Sequence, residues 1–363
     1  MAYQVIVEYR PKIRACQFSV KAKLNEESIE IVLKDNIALI LSGHNTAEIT
    51  FPESVQHIVN SVSGLNFMED FICFRTRTKP DKLFGTFERE LILSNEEESI
   101  HNYVPQVQVG KTVRIFCRNC LSALTKEICF ERRLPLPLFS SAEDYFCHHK
   151  LSTDDLLNPR LKDCLYGLYF YKINPAVFEC DILEENIFVC PNCSSWLGIS
   201  ALGFVQLWNS TTILNDCPPM ASDDNVALQD FLNLIEMATS EKHAGCKTNK
   251  LILYCTGVTN VSTDQYLLIW IMEKKLNIFT SKGPVSDGIK LNHDKVCKVL
   301  YLFENHKSDK VKEWLNFNEA NCVPISKNMF VEGHEHLKRM SLNVPTKFRS
   351  ANDMYVSYIG NLK

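Results

Sequence analysis

The sequence predicts a β-rich α+β fold with a β-sandwich or barrel-like N-terminal domain, a central segment closed by cysteines, and a C-terminal α+β domain on a mostly antiparallel sheet. Three observations carry this prediction: short alternating apolar segments early in the chain, two matched cysteine pairs, and alternating strand and helix patterns after the second pair. At 363 residues the chain is too long for one small core. We therefore predict domains at residues 1–110, 111–200 and 201–363.

The composition is that of an ordinary globular protein. Hydrophobic residues make up 45% and the net charge is −4, which argues against a broad nucleic-acid-binding face. No stretch approaches the roughly 20 apolar residues of a membrane span, and the N-terminus lacks a secretory signal. The fifteen cysteines then indicate a reducing compartment. We expect no direct nucleic-acid or membrane partner and a cytoplasmic location, with the nucleus as a second compartment.

Residues 1–110 show the period-2 alternation of half-buried strands. Residues 4–8, 28–33 and 48–51 alternate in this way with turn signals between them, and residues 86–93 form a further candidate strand. Short strands at roughly ten-residue spacing are typical of a sandwich or barrel-like domain.

Four cysteines in two matched pairs define the central segment. Cys117-Arg-Asn-Cys120 follows a strand-like stretch at 111–116, and Cys190-Pro-Asn-Cys193 follows one at 186–189. A CxxC turn places two thiolates about one ligand–ligand distance apart, so two turns together supply a closed tetrahedral zinc site. One shared Zn²⁺ would clamp the segment between the pairs. The predicted ligands of this structural Zn²⁺ are Cys117, Cys120, Cys190 and Cys193.

The same segment offers alternatives to this ligand set. Cys164 or Cys180 could replace one ligand, or the four thiols could hold no metal. Cys147-His148-His149 combines thiolate and imidazole, both zinc ligand types, so it could bind a metal in cis or in a partner. The alternative is an exposed turn with incidental histidines. A loop held at both ends loses less entropy on binding, which suits insertion into a partner's cleft.

After the second pair, strand and helix patterns alternate. Ser222 or Asp223 is expected to cap an amphipathic helix, and further helices are predicted at 310–315 and 334–339. Lys274-Lys275 is the expected turn between two strands. The strands predicted from residue 164 onward are 164–173, 203–214, 251–255, 265–272, 276–280, 296–303 and 355–359.

Nucleophilic cysteine catalysis is a further reading of the chain. A reactive thiol needs exposure and a lowered pKa. Cys147 has adjacent histidines, and Cys322 lies in a polar stretch late in the chain. For both residues the alternative is a structural role. Phosphate-binding, zinc-protease and serine-hydrolase motifs are absent from the sequence.

The order of several motifs resembles the small HECT-like ubiquitin ligase family, type D, which is named for binding a ubiquitin-conjugating enzyme. The resemblance spans nearly the whole chain and is strongest from 111 to 200. The matching motifs are Cys117-x-x-Cys120, Arg133-Leu-Pro-Leu-Pro137, Phe146-Cys147-His148, Asp163-Cys164-x-x-Gly167, Cys190-x-x-Cys193 with Leu197-Gly198, Tyr266-Leu-Leu-Ile-Trp270 and Lys298-Val-Leu-Tyr301.

The resemblance implies an inhibitor or assembly factor that binds the endonuclease subunit of the pre-mRNA cleavage and polyadenylation specificity factor. Cys147 would then bind the zinc of the endonuclease's di-zinc active site. The further partner-binding residues it implies are Pro135, Leu136, Pro137, Phe146, His148 and His149.

The resemblance also implies ubiquitin transfer, in which the chain accepts ubiquitin from a ubiquitin-conjugating enzyme on a cysteine. Cys322 is the best positional match to the catalytic residue, with Cys147 as the alternative. A zinc-stabilised scaffold with neither activity is the third hypothesis.

Overall fold

The structure is a computed structural model. Five residues of the predicted partner site lie outside the residues that it describes: Pro137, Phe146, Cys147, His148 and His149. The predicted strand at 86–93 also lies outside them. The described residues are 4–21, 29–42, 45–68, 71–80, 109–136, 158–180, 187–216, 225–239, 249–255, 264–281, 289–316 and 320–360.

The chain divides into two compact units. The first comprises Met1–Glu98, Ile271–Leu300 and Leu337–Lys363, and the second comprises Ser99–Trp270 and Tyr301–His336. The predicted β-rich α+β class is confirmed. The division into three segments at residues 110 and 200 stays a prediction. Within the described ranges, no helix is long and apolar enough to cross a membrane.

Strands dominate both units. The N-terminal strands are β1 (Gln4–Arg10), β2 (Ala15–Lys21), β3 (Ile29–Lys34), β4 (Ile37–Ser42), β5 (Asn45–Thr50), β6 (Ser63–Met68) and β7 (Phe71–Arg77). The central strands are β8 (Thr112–Cys117), β9 (Ile128–Cys129), β10 (Arg132–Pro135), β11 (Asp163–Tyr166), β12 (Phe170–Ile173), β13 (Phe188–Val189), β14 (Trp196–Ala201), β15 (Phe204–Trp208) and β16 (Thr212–Asn215). The C-terminal elements are α1 (Val226–Thr239), β17 (Lys250–Cys255), β18 (Gln265–Ser281), β19 (Ile289–Glu304), α2 (Asp309–Asn316), β20 (Ala320–Pro324), α3 (Lys327–Ser341), β21 (Ser350–Ala351) and β22 (Met354–Ile359).

The first unit is a mainly antiparallel sheet whose strands follow the order β3-β4-β5-β19-β18-β1-β2-β7-β6. Alternate residues of β1 and β2 face its core, as the period-2 pattern predicts: Val5, Val7 and Tyr9 in β1, and Cys16, Phe18 and Val20 in β2. Phe18 of β2 and Phe74 of β7 stack there with ring centroids 4.3 Å apart. Phe51 meets Phe18 edge-on, and His57 is fully buried beside both rings. Aromatic packing of this kind contributes strongly to the unit's apolar burial.

The second unit contains a six-stranded sheet in the order β10-β11-β12-β15-β14-β13 and a three-stranded sheet in the order β16-β8-β9. Strand β17 pairs antiparallel with residues 265–270 of β18 and parallel with β20. Helices α1 and α3 approach closely because Gly333 has no side chain, and a Cβ there would lie 2.4 Å from the Phe231 ring. The core between the two small sheets includes cysteines of both CxxC pairs.

Three local predictions were wrong in detail. Lys274-Lys275 is not a turn, because β18 continues through both lysines, neither of which is buried. Residues 164–173 and 203–214 each form two strands separated by a turn rather than one strand. The predicted caps of helix α1, Ser222 and Asp223, lie outside the described residues. The helix is capped by Asn225, whose side chain accepts a hydrogen bond from the Leu228 N–H at 2.9 Å.

Candidate metal centre

Both cysteine pairs lie at the ends of strands, and the two pairs come together in the second unit. Strand β8 ends at Cys117, and β13 ends one residue before Cys190. In the first turn, Leu121 N–H donates to Cys117 O at 2.9 Å; in the second, Ser194 N–H donates to Cys190 O at 2.8 Å. The two CxxC segments therefore fold into the same turn, which we call knuckle 1 (Cys117–Ser122) and knuckle 2 (Cys190–Ser195).

Each knuckle reverses the chain through one left-handed residue. Leu121 has φ 58° and Ser194 has φ 56°. This conformation directs the next residue back toward the first cysteine, so Cys117 N–H donates to Ser122 O at 2.9 Å. The Cys190 N–H donates to the equivalent serine carbonyl of knuckle 2 at 2.8 Å. The backbone thus holds both sulfur atoms of a pair on one side of the turn.

The four sulfur atoms form one compact group, all lying within 4.8 Å of one another. The Sγ atoms of Cys117 and Cys193 are 3.7 Å apart, and those of Cys120 and Cys190 are 3.6 Å apart. Tetrahedral zinc with Zn–S bonds of about 2.3 Å requires S···S separations of about 3.8 Å. A disulfide requires about 2.05 Å. The group therefore has the dimensions of a zinc site and could hold a metal ion.

If these buried thiols ionise, a cation must lie among them to compensate their negative charge. Cys117 and Cys190 are fully buried, whereas Cys120 and Cys193 are half-buried. Desolvation raises the pKa of Cys117 above its usual value, and the neighbouring Cys190 charge adds to the rise. Four thiolates crowded together are stable only beside a compensating positive charge, which Zn²⁺ would supply.

Hydrogen bonds favour ionisation of the outer pair of cysteines. Burial raises the pKa of Cys120, but hydrogen bonds from Ser122 and from Asn192 of the opposite knuckle lower it to about 6. The pKa of Cys193 is lowered in the same way by Ser195 and Asn119, against a rise from burial. Such outer contacts orient metal ligands.

A sequence pattern longer than CxxC marks these supporting residues. Both knuckles share the longer pattern Cys-x-Asn-Cys-x-Ser, at 117–122 and at 190–195. The asparagine reaches the outer sulfur of the opposite knuckle, and the serine contacts the outer sulfur of its own. The two knuckles therefore support each other's ligands through equivalent residues.

Three other residues of the family motifs, Asp163, Gly167 and Gly198, have structural roles in the strands of this unit. Asp163 is nearly buried and accepts hydrogen bonds from Arg132 at 2.8 and 2.6 Å, which ties β11 to β10. A Cβ on Gly198 would lie 1.8 Å from Gln206 O, so β14 and β15 can pair only with glycine there. A Cβ on Gly167 would lie 2.7 Å from the Phe170 ring.

The alternative metal ligands are not in the sulfur cluster. Cys164 is fully buried, burial raises its pKa to about 12, and it packs in the apolar core. Cys180 is half-buried and packs against the same core. Among the described residues, the cluster of metal-ligand side chains is the predicted set of four cysteines.

Two of the predicted partner-binding residues, Pro135 and Leu136, lie within the described residues, and both are at a sheet edge. Pro135 ends the edge strand β10 and is exposed, and Leu136 follows it half-buried. Leu136 N–H donates to Tyr166 O at 2.7 Å, which extends the pairing of β10 with β11.

Cys322, the predicted catalytic residue, is exposed on strand β20 opposite Ile252 of β17. Desolvation of its sulfur raises its pKa, and the charge of Lys307 opposes that rise. A raised pKa does not by itself favour a nucleophilic thiolate. The catalytic role of Cys322 stays a prediction.

Comparison with known protein families identifies the family of this chain. The profile of the HECT-like ubiquitin-conjugating enzyme (E2)-binding family matches residues 8–356. The chain therefore belongs to this family of HECT-like, E2-binding proteins, as the motif order predicted.

Two rodent proteins illustrate the relationship. A mouse (Mus musculus) protein named as an E3 ubiquitin-protein ligase is 20% identical over 354 residues, which covers 91% of this chain and 90% of the mouse protein. The rat (Rattus norvegicus) protein of the same name is 20% identical over 224 residues, covering 59% of this chain and 57% of the rat protein. No solved structure matches the chain.

Proposed function

We propose that this protein binds the endonuclease subunit of the pre-mRNA cleavage and polyadenylation specificity factor and blocks its di-zinc active site through Cys147. It would act as an inhibitor or an assembly factor. A thiolate is a strong, soft ligand for zinc and would displace the hydroxide that bridges two catalytic zinc ions. Binding before assembly would protect RNA and stabilise the endonuclease by mass action.

The observation that carries this proposal is the anchoring of the chain on both sides of residues 137–157. On one side, Leu136 N–H donates to Tyr166 O at 2.7 Å. On the other side, the Asn174 side chain donates to Pro159 O at 3.0 Å. Anchored ends reduce the entropy that the intervening chain loses on binding a partner. The sulfur cluster lies in the same unit and supports the same sheet core.

The test is RNA cleavage by the purified endonuclease subunit in the presence of the full chain. We expect Cys147→Ser to weaken inhibition by about 30-fold, the effect of losing about 2 kcal/mol at a binding hot spot. Cys129→Ser is the matched control, because Cys129 is an exposed cysteine of the same unit outside the sulfur cluster. Equal inhibition by wild type and Cys147→Ser would contradict the proposal.

A second candidate function is ubiquitin ligase activity, in which the chain accepts ubiquitin from a conjugating enzyme on Cys322 or Cys147 and passes it to a substrate. The family match over residues 8–356 and the ligase name of the rodent relatives favour it. The exposure of Cys322 gives a conjugating enzyme access to one of the two thiols.

Incubation with activating enzyme, conjugating enzymes and ubiquitin tests this candidate independently of the endonuclease. We expect a reductant-sensitive adduct that disappears in Cys322→Ser or in Cys147→Ser and persists in Cys129→Ser. Absence of an adduct on every cysteine rejects the thioester mechanism while leaving the endonuclease proposal intact. If both activities are absent and the cysteine cluster is still needed for folding, the protein is a zinc-stabilised scaffold.

A further inference from the structure

The large sheet of the first unit has edge strands of different character at the two ends of its strand order, β3 and β6. Strand β3 carries exposed charges at Glu30 and Lys34, which discourage another strand from pairing with it. Strand β6, Ser-Gly-Leu-Asn-Phe-Met, has no charged residue, and none of its residues is buried. An uncharged edge with exposed apolar side chains is a template for a further strand.

Exposed apolar side chains are concentrated on β6 and on the segment before it, residues 58–68, which we call the β6 edge. The exposed fractions are 42% for Ile58, 58% for Val59, 42% for Leu65 and 53% for Phe67. The segment that precedes β6 continues the same edge, because Ile58 N–H donates to Arg77 O of β7 at 2.8 Å. Four large apolar side chains therefore reach solvent along one edge of the sheet.

The backbone of β6 is available for pairing on its outer side. Strand β6 is the last in its sheet and pairs with β7 alone among the described residues. Alternate N–H and C=O groups of such a strand point away from the sheet. A bulge shifts the register between Ser63 and Asn66, after which the residues from Asn66 to Met68 pair with β7 in regular register. The regular part can therefore form main-chain hydrogen bonds with an added strand.

The register of β6 on β7 separates an apolar side of the edge from a basic side. Phe67 lies opposite Ile72, which belongs to the core of the unit, so Phe67 is at the rim of that core. Ser63 lies opposite Arg75, which points away from the core because its neighbour Phe74 points into it. An added strand would therefore meet apolar side chains on one face and Arg75 on the other.

The charge on the outer face of this edge is positive. Arg75 and Arg77 are exposed, and neither forms an ion pair within the described part of the chain. The Arg75 guanidinium donates a hydrogen bond to the Gln17 side chain. A residue opposite Ser63 on an added strand would lie about 10 Å from the β7 backbone, two strand spacings away, and Arg75 can reach across the small Ser63 side chain. A carboxylate at that position would pair with Arg75.

We propose that the β6 edge binds an extended segment of a partner protein, which joins the sheet as a further strand and carries apolar residues on one face and acidic residues on the other. Main-chain hydrogen bonds supply the affinity, while Leu65, Phe67 and Arg75 select the side chains. The surface belongs to the first unit, so the proposal rests neither on the sulfur cluster nor on Cys147.

The test measures, by fluorescence anisotropy, how the full chain binds a labelled peptide of strand length in which valine and glutamate alternate. We expect saturable binding that Phe67→Glu weakens by about 10-fold, the effect of losing one apolar anchor. Phe348→Glu is the matched control, because Phe348 is an exposed phenylalanine of the same unit outside the β6 edge. Arg75→Glu should reverse the preference, so that a valine–lysine peptide binds better than the valine–glutamate peptide. Lys34→Glu, on the opposite edge strand, should leave the preference unchanged.

Two measurements on the wild-type protein keep the proposal falsifiable if a variant fails to fold. A peptide methylated on its backbone nitrogens keeps its side chains but donates no main-chain hydrogen bond, so it should bind about 10-fold more weakly. Hydrogen exchange should show that the unmethylated peptide protects residues 63–68.

Absence of saturable binding, or equal binding of the methylated peptide, overturns the proposal. Protection of residues 63–68 in the free monomer also overturns it, because this chain would then cover its own edge. A dimer that Phe67→Glu dissociates would make a second copy of the chain the occupant and would overturn the assignment to a partner protein.

Discussion

The two units of this protein have cores of different chemistry. In the first unit the core is apolar, with Phe18, Phe51 and Phe74 packed together. In the second unit the core between the small sheets includes the fully buried Cys117 and Cys190. The first core is stabilised by removing carbon surface from water. The second also contains a group of four thiols that could hold a metal ion, so we expect the two units to respond differently to metal removal.

The largest expected effect is loss of a metal ligand. Cys190→Ser, or chelation of the wild-type protein, should unfold the second unit, since structural zinc binding contributes about 10–16 kcal/mol in small zinc domains. Hydrogen exchange read unit by unit is the measurement, with protection lost at residues 109–136 and retained at residues 4–21. The exposed Cys129→Ser is the control. Full protection of the second unit after metal removal would show that its core needs no metal.

The next largest effect is expected from a cavity in the core of the first unit, which contains no part of the sulfur cluster. Phe74 is fully buried and stacks on Phe18 at 4.3 Å. Phe74→Ala should cost about 3–5 kcal/mol of unfolding free energy. Denaturant unfolding gives that cost, and the metal content of the folded protein should stay unchanged. A cost under about 1 kcal/mol would mean that this core does not depend on tight aromatic packing.

Acid should weaken the first unit through His57. This histidine is fully buried, its Nδ1 lies 3.1 Å from Thr76 Oγ1, and burial lowers its pKa from 6.5 to about 4. The unfolded chain therefore takes up the proton first. Stability contributed by the neutral ring is complete above pH 6.5 and falls as pH declines toward 4, by up to about 3 kcal/mol.

The measurement for His57 is the unfolding free energy of the first unit between pH 7 and pH 4. His57→Gln does not titrate in this range and should remove most of the decline. An equally steep pH dependence in wild type and variant would assign the acid sensitivity to other groups.

The smallest expected effect is at the surface of the second unit. Arg114 of β8 forms an exposed ion pair with Glu127 at 2.9 Å, close in sequence to knuckle 1. Arg114→Ala should change the unfolding free energy by less than about 1 kcal/mol, because exposed pairs are solvated and screened. Thermal unfolding with and without salt checks this. A larger loss would mean that the outer face of β8, and not only its buried face, supports the metal centre.

The candidate metal centre was largely predictable because ligand spacing is a local property. Two residues between cysteines suit one metal whatever the remaining fold, and the turns at Cys117 and Cys190 have the expected form. The burial of Asp230 on α1 was not predictable in the same way, because an acidic residue on an amphipathic helix ordinarily indicates an exposed face.

Strand prediction succeeded where apolar residues alternate in the sequence and failed where the continuity of a strand depends on its partners. Residues 4–8 and 28–33 alternate clearly, and strands β1 and β3 occur there. Lys274-Lys275 was expected to be a turn, yet β18 continues through it because its lysines can reach solvent. Local polarity does not distinguish an exposed strand position from a loop.

The amino-acid sequence alone determined the chemistry of this protein: the four thiols, their matched spacing, the β-rich class and the motif order shared with its family. The tertiary structure decided which polar groups are buried together. It brought the buried Thr211 and Thr212 against Arg118 of knuckle 1 and placed His57 in an aromatic core. The physical reason is that ligand type and turn geometry act over a few residues, whereas burial and electrostatic coupling depend on distant segments meeting in space.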